Sequence, residues 1–189
     1  MHIDTLISRS NRLLGFIYRT TRLFTNIRCI IILFVTMVRP IMEYCSVVWT
    51  PSYAVHIERI ERVQKRFVRA LCYRCGFDPY SNRHDHWLTY FSLPRLAKRR
   101  SYRDLMFMFK TLNNYIKCQS LRELIILHVP SCHFLRRNPL LYIDYHRTNY
   151  GLHSRLTRLS NLVNSTGNID ILSGNLTSFC AALRRSLYN

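Results

Sequence analysis

The clearest periodic pattern in the chain lies at residues 53–75. Ile57, Ile60, Val63 (with Gln64), Phe67 and Leu71 recur at spacings of three and four and share one helical face. Arg59, Arg62, Lys65, Arg66 and Arg69 fall mostly off that face. Ser52 is the expected N-cap and Gly76 the expected stop. Glu58 with Arg62 and Glu61 with Lys65 stand in the favourable i,i+4 order, worth roughly 0.2–0.5 kcal/mol each on an exposed helix.

Other stretches read as helix with less regularity. Residues 4–25 carry an incomplete apolar stripe with charge from Arg9, Arg12, Arg19 and Arg22, and residues 27–38 are apolar nearly all round, which predicts a central helix. Arg39-Pro40 predicts a kink or break, with a further helical piece over 41–49. Cys75 to Asn82 is rich in turn residues, and a short helix is expected over 84–90. Ser92, with Pro94 in the first turn, predicts the start of a long helix reaching Ile116. Its expected apolar face is Leu96, Leu105, Phe109 and Leu112, and Lys98, Arg99, Arg100 and Arg103 form its densest basic cluster. A short helix over 120–127 precedes an irregular segment at 130–155. Short helices over 154–163 and 174–187 end the chain.

No strand pattern, internal repeat or low-complexity tract is visible. The expected fold class is mainly α. The expected divisions are a helical region at 1–76, a basic helical region at 77–129 and a loop-rich segment with short helices at 130–189.

Charge changes this picture. The 189 residues include 28 Lys and Arg against 10 Asp and Glu, a formal charge of +18. Such an excess repels itself and favours a polyanionic partner, nucleic acid first and an anionic membrane surface second. Arg outnumbers Lys, which suits bidentate phosphate contact. The apolar run at 29–38, ten residues bounded by Arg28 and Arg39, is too short to span a bilayer, so no membrane partner is expected.

Chemistry of the catalytic kind is hard to find. With five glycines there is no phosphate-cradling loop, and no GxSxG, HExxH or paired-aspartate box occurs. Glu58 and Glu61 are close in sequence, but they sit among arginines and read as ion pairs. Cys72-x-x-Cys75 followed by His84 and His86 is a candidate zinc set. The histidines are only two apart, and Cys72 continues the helix register, which favours a core thiol. His128, Cys132 and His133 make a looser cluster still. Seven irregularly spaced cysteines and no secretory signal point to an intracellular protein, nuclear or cytoplasmic. On that basis Asn164-Ser-Thr and Asn175-Leu-Thr are chance glycosylation matches.

Several strings together carry a resemblance. They are Asn11-Arg-Leu-Leu-Gly-Phe-Ile17, Val38-Arg-Pro-Ile-Met-Glu-Tyr44, Ser46-Val-Val-Trp-Thr-Pro51 and His56-Ile-Glu-Arg-Ile-Glu-Arg-Val-Gln-Lys-Arg-Phe67. Leu93-Pro-Arg-Leu-Ala-Lys-Arg-Arg100 and His146-Arg-Thr-Asn-Tyr-Gly151 follow in order. In this series the chain resembles the thumb and post-thumb region of reverse transcriptases from jockey-type non-LTR retrotransposons. Some positions drift from the family pattern: Cys45, Phe34-Val35-Thr36, Met37 and Cys132.

The resemblance implies a parent enzyme that polymerises DNA on an RNA template. Its fingers and palm, with the catalytic aspartates and their Mg2+, have no counterpart in this sequence. The expectation is a truncated, catalytically silent remnant with no cofactor. Its implied partners are an RNA–DNA hybrid or other nucleic acid and the palm and fingers of the parent polymerase. The residues expected to grip backbone phosphates are Arg62, Lys65, Arg66, Arg69, Lys98, Arg99, Arg100 and Arg103. The alternative is a free-standing basic helical module that binds nucleic acid or protein without catalysis.

Overall fold

The computed structural model describes residues 2–129, 139–166 and 169–188. The fold is mainly α. The chain divides into two compact units, Met1–Arg100 and Ser101–Asn189. Among the described residues the only β feature is an isolated bridge between Leu127 and Leu141.

In the first unit, α1 (His2–Thr20) leads to α2 (Ile27–Leu33), a π-helical turn (Phe34–Val38) and α3 (Arg39–Glu43). At Arg39-Pro40, where a kink or break is expected, the helical path opens into a widened turn. Pro40 has no N–H to donate, and the coil opens just before it, so that the Arg39 N–H reaches Phe34 O, five residues back. The helical path ends later, at Tyr44 and Cys45, where Cys45 adopts φ 50°. The expected piece at 41–49 is therefore two, the second being α4 (Ser46–Trp49).

Helix α1 stops at Thr20, short of the expected 25, and its end is fixed from a distance. The Arg74 guanidinium donates to Tyr18 O at 3.3 Å, near the helix end, and to Thr21 O at 2.7 Å, which also accepts from Phe24 N. Asn26 then starts α2 by accepting from Arg28 N.

Helix α5 (Ala54–Arg74) forms as its periodicity predicts. It buries Ile60, Val63, Gln64, Phe67, Val68, Leu71 and Cys72, while Ile57 is half-buried. The Phe67 ring stacks on Phe34 at 4.0 Å, joining α5 to the apolar second helix. Tyr53, not Ser52, occupies the N-cap position, and no side chain caps it. The stop is as expected: Gly76 takes φ 72°, Phe77 N donates to Cys72 O and Gly76 N to Tyr73 O, the two reverse bonds of a Schellman motif.

The same device closes α6 (His84–Tyr90) and corrects the reading of Ser92. Leu93 N donates to Leu88 O at 2.8 Å and Ser92 N to Thr89 O at 3.0 Å. Ser92 therefore ends α6 in the left-handed region, φ 54°, and does not cap α7 (Leu96–Leu112). Glu61 of α5 takes that role. Its carboxylate accepts from Ala97 N at 2.6 Å and Leu96 N at 3.4 Å, satisfying amides of the first turn where the helix dipole favours an anion.

A test follows directly. Ser92→Gly removes a left-handed cost of about 1–2 kcal/mol and is expected to raise stability by about 1 kcal/mol after chain entropy is subtracted. A thermal melt should rise by a few degrees. Were Ser92 an N-cap, the melt would stay level or fall.

The second unit begins within α7 and includes α8 (Gln119–Glu123), α9 (Asn149–Leu152), α10 (Arg155–Ser165) and α11 (Leu176–Tyr188). Leu105, Met108, Phe109, Leu159, Val163, Phe179 and Leu183 are buried there, and Phe109 stacks on Phe179 at 4.2 Å. Asp104, buried, pairs with Arg158. Asn164 exchanges two 2.9 Å bonds with the Leu141 backbone, and Asn175 accepts from Thr177 N and Ser178 N at the start of α11. Both asparagines of the glycosylation-like triplets are thus committed to the fold.

The string at 146–151 also has a structural account. Thr148 accepts from Gly151 N to start α9, and His146 Nε2 lies 3.0 Å from Thr157 Oγ1. A Cβ at Gly151 would meet the His146 ring at 2.8 Å. Gly151→Ala should therefore displace His146 and cost about 1–3 kcal/mol, read by a denaturant midpoint. His146→Gly in the same chain removes the ring and the Cβ that the added methyl would meet, and should make it tolerable.

Candidate nucleic-acid interface

The exposed side of α5 carries a row of cations. Arg59, Arg62, Arg66 and Arg69 recur at three- and four-residue spacing, so they follow one side of the helix over ~15 Å. That length matches roughly four phosphates of one strand at about 3.4 Å each. Arg62, Arg66 and Arg69 are exposed, and Lys65 and Arg59 are half-buried beside them.

Their charges are not equally available. Arg59 is paired with Asp4, and Arg62 stands 4.0 Å from Glu58 with both side chains mostly exposed. Exposed pairs of that kind are weak and open readily to a stronger anion. Arg66 donates to the neutral Asn11 Oδ1 at 3.2 Å, and the Arg69 guanidinium lies over the Tyr80 ring at 5.3 Å. Both are held in place without being neutralised. Between α1 and α5 the side chains of Ile7, Asn11, Arg59, Arg62, Val63 and Arg66 line a cleft of about 140 Å³. Ile7 and Val63 are its apolar lining, and Arg59, Arg62 and Arg66 bring three guanidinium groups to it.

The other half of the expected phosphate set is placed differently. Lys98 is exposed on α7. Arg99 makes a bidentate pair with the buried Glu43, at 2.5 and 3.1 Å. Arg100 is 1% exposed, and its Nη2 lies 3.9 Å from Glu61 Oε1. A phosphate outside the protein does not reach a side chain so deep. Arg103 is half-buried and belongs to the second unit. The structure thus brings Arg62, Lys65, Arg66 and Arg69 together, and turns Arg99 and Arg100 into internal supports.

Arg59 and Asn11 join the interface beyond the residues expected from sequence. Arg59 was legible, since it continues the row by one turn. Asn11 carried no signal, because its role depends on α1 lying against α5.

Burial pushes the thiols of Cys72 and Cys75 up, and for Cys72 the neighbouring Cys75 adds to the shift. That direction opposes the thiolate a metal requires. Among the described residues no group of three or more His, Cys, Asp or Glu side chains is placed to hold a metal ion. Cys132 and His133 lie outside the described residues. Among the described residues no helix is long and apolar enough to cross a membrane.

Comparison with protein-family models, with curated proteins and with solved structures finds no match.

Proposed function

We propose that this chain is a nucleic-acid-binding helical region of the kind its sequence resembles, the thumb and post-thumb of a jockey-type non-LTR reverse transcriptase. In this reading it grips the backbone of an RNA–DNA primer–template without itself doing chemistry. The observation that carries the reading is the α5 row, in which Arg66 and Arg69 are fixed by neutral partners and keep their full charge. Phosphate contacts of this kind set position and register and read no bases. An A-form-like hybrid is then recognised by its shape.

Further support comes from how the resembling strings serve one another. Glu43 pairs with Arg99, Glu61 holds the amides of Leu96 and Ala97, and Gln64 donates to Pro94 O at 3.0 Å. Three separated strings thereby share one polar network beneath the α5 surface. Such a base would hold the cation row rigid, so that little is lost to ordering side chains on binding.

The reading is tested by fluorescence anisotropy with a labelled RNA–DNA hybrid. Saturable binding, competed equally by hybrids of unrelated sequence, is the expected result. No binding by the hybrid at low salt would overturn it.

A further inference from the structure

Where the cation row ends, the surface of the first unit becomes aromatic. Tyr73 on the last turns of α5, Tyr80 in the following loop and Tyr90 on α6 are 62%, 67% and 58% exposed. The core beside them is already filled by Trp87 and Phe91, so burial does not explain these three rings.

Two of them are nonetheless held firmly. The Tyr80 N–H donates to Asp78 Oδ1 at 3.0 Å, and Ser81 Oγ donates to Asp78 O at 2.7 Å, which shapes the turn that carries the ring. The Arg69 guanidinium covers one face of Tyr80 at 5.3 Å. A ring covered on one face that still keeps two thirds of its surface exposed has its opposite face open. Tyr90 is braced edge-on by Phe77, Trp87 and Phe91, with centroids 5.6, 6.0 and 5.0 Å away.

We propose that this surface is a stacking platform for unpaired nucleobases, receiving a single strand that extends from the duplex held along α5. The proposal rests on the reading of α5 as a phosphate row. Every nucleobase has a π face, so exposed aromatic rings bind single strands without strict sequence preference. On the open face of Tyr80 a base would complete a base–tyrosine–guanidinium stack. Arg69 then joins the two surfaces, as the last cation of the row and as the support of the first ring.

The local charge agrees. Asp78 is engaged by its own turn, and Asp85 is taken by Arg95 through two bonds of 2.7 and 2.6 Å. Asp85 is thereby neutralised, and Asp78 has one oxygen held by its own turn. Rigid rings with few rotatable bonds also lose little entropy when they stack.

The experiment compares a blunt RNA–DNA hybrid with the same hybrid bearing a short single-stranded tail that contains 2-aminopurine. With the unaltered chain, the tail should tighten binding and the 2-aminopurine fluorescence should be quenched. Tyr80→Ala should cost the tailed hybrid about tenfold more affinity than the blunt one, whose smaller loss reports Arg69 released from the ring. Tyr80→Phe should restore both the affinity and the quenching, and Tyr80→Leu should restore neither. Equal affinity for tailed and blunt hybrids with no quenching would overturn the platform. So would an equal loss on both probes in Tyr80→Ala. Failure of the blunt hybrid to bind, with the tail still quenched, would overturn the phosphate row and leave the platform standing.

Discussion

Glu43→Ala is expected to destabilise the first unit by about 3–5 kcal/mol, the cost of breaking a buried ion pair from one side. Glu43 is 1% exposed, and its two oxygens take both arms of the Arg99 fork. Removing the carboxylate leaves a guanidinium, itself only 28% exposed, facing protein where a counter-ion stood. The loss is a large share of the 5–15 kcal/mol that ordinary domains possess, so the variant should sit near its unfolding midpoint at modest denaturant. Glu43→Gln keeps the shape and one acceptor, and should cost less. Glu58→Ala makes a fair comparison, because its pair with Arg62 is exposed and 4.0 Å long; it should change stability by no more than about 0.5 kcal/mol. Urea unfolding of the three variants separates them. A Glu43→Ala midpoint equal to that of Glu58→Ala would contradict the account of the internal network.

The combined variant Arg62→Ala, Arg66→Ala, Arg69→Ala is expected to fold normally and to lose about a hundredfold or more in affinity for an RNA–DNA hybrid. Hydrogen bonds to charged groups are worth about 1.5–3 kcal/mol each, and three are removed. All three side chains are exposed, so the core should not register the change. Arg100→Ala should do the reverse, lowering stability because a buried side chain beside Glu61 is lost. At temperatures where it remains folded, its hybrid affinity should match that of the unaltered chain. The two variants therefore divide the eight arginines and lysines expected from sequence into surface and support. Equal binding losses from both would remove that division.

The contrast shows which parts of the molecule local sequence can reveal. The apolar face of α5, the stop at Gly76 and the limits of α6 depend on residues within a turn or two, and periodicity and glycine expose them. The end of α1 depends on Arg74, 53 residues from Thr21, and nothing near Thr20 announces it. The start of α7 depends on Glu61, 36 residues from Ala97, so Ser92 looked like the natural cap. Arg99 and Arg100 looked like solvent-facing charge for the same reason. A helical pattern distinguishes apolar from charged positions, but it does not show a carboxylate brought in from another helix. Half of the candidate site was visible, namely the half on α5, where one face is apolar and the opposite face is left for cations. The aromatic ring over Arg69 was not visible, since Tyr80 lies in a loop with no period.

The salt dependence of hybrid binding by the unaltered chain tests the central claim most directly. Each phosphate contact to a duplex contributes about 0.9 to the slope of log affinity against log salt. With Arg62, Arg66 and Arg69 engaged, affinity should fall linearly between about 50 and 200 mM salt with a slope of about −3 or steeper. An affinity indifferent to salt over that range would contradict the claim that α5 holds a phosphate backbone.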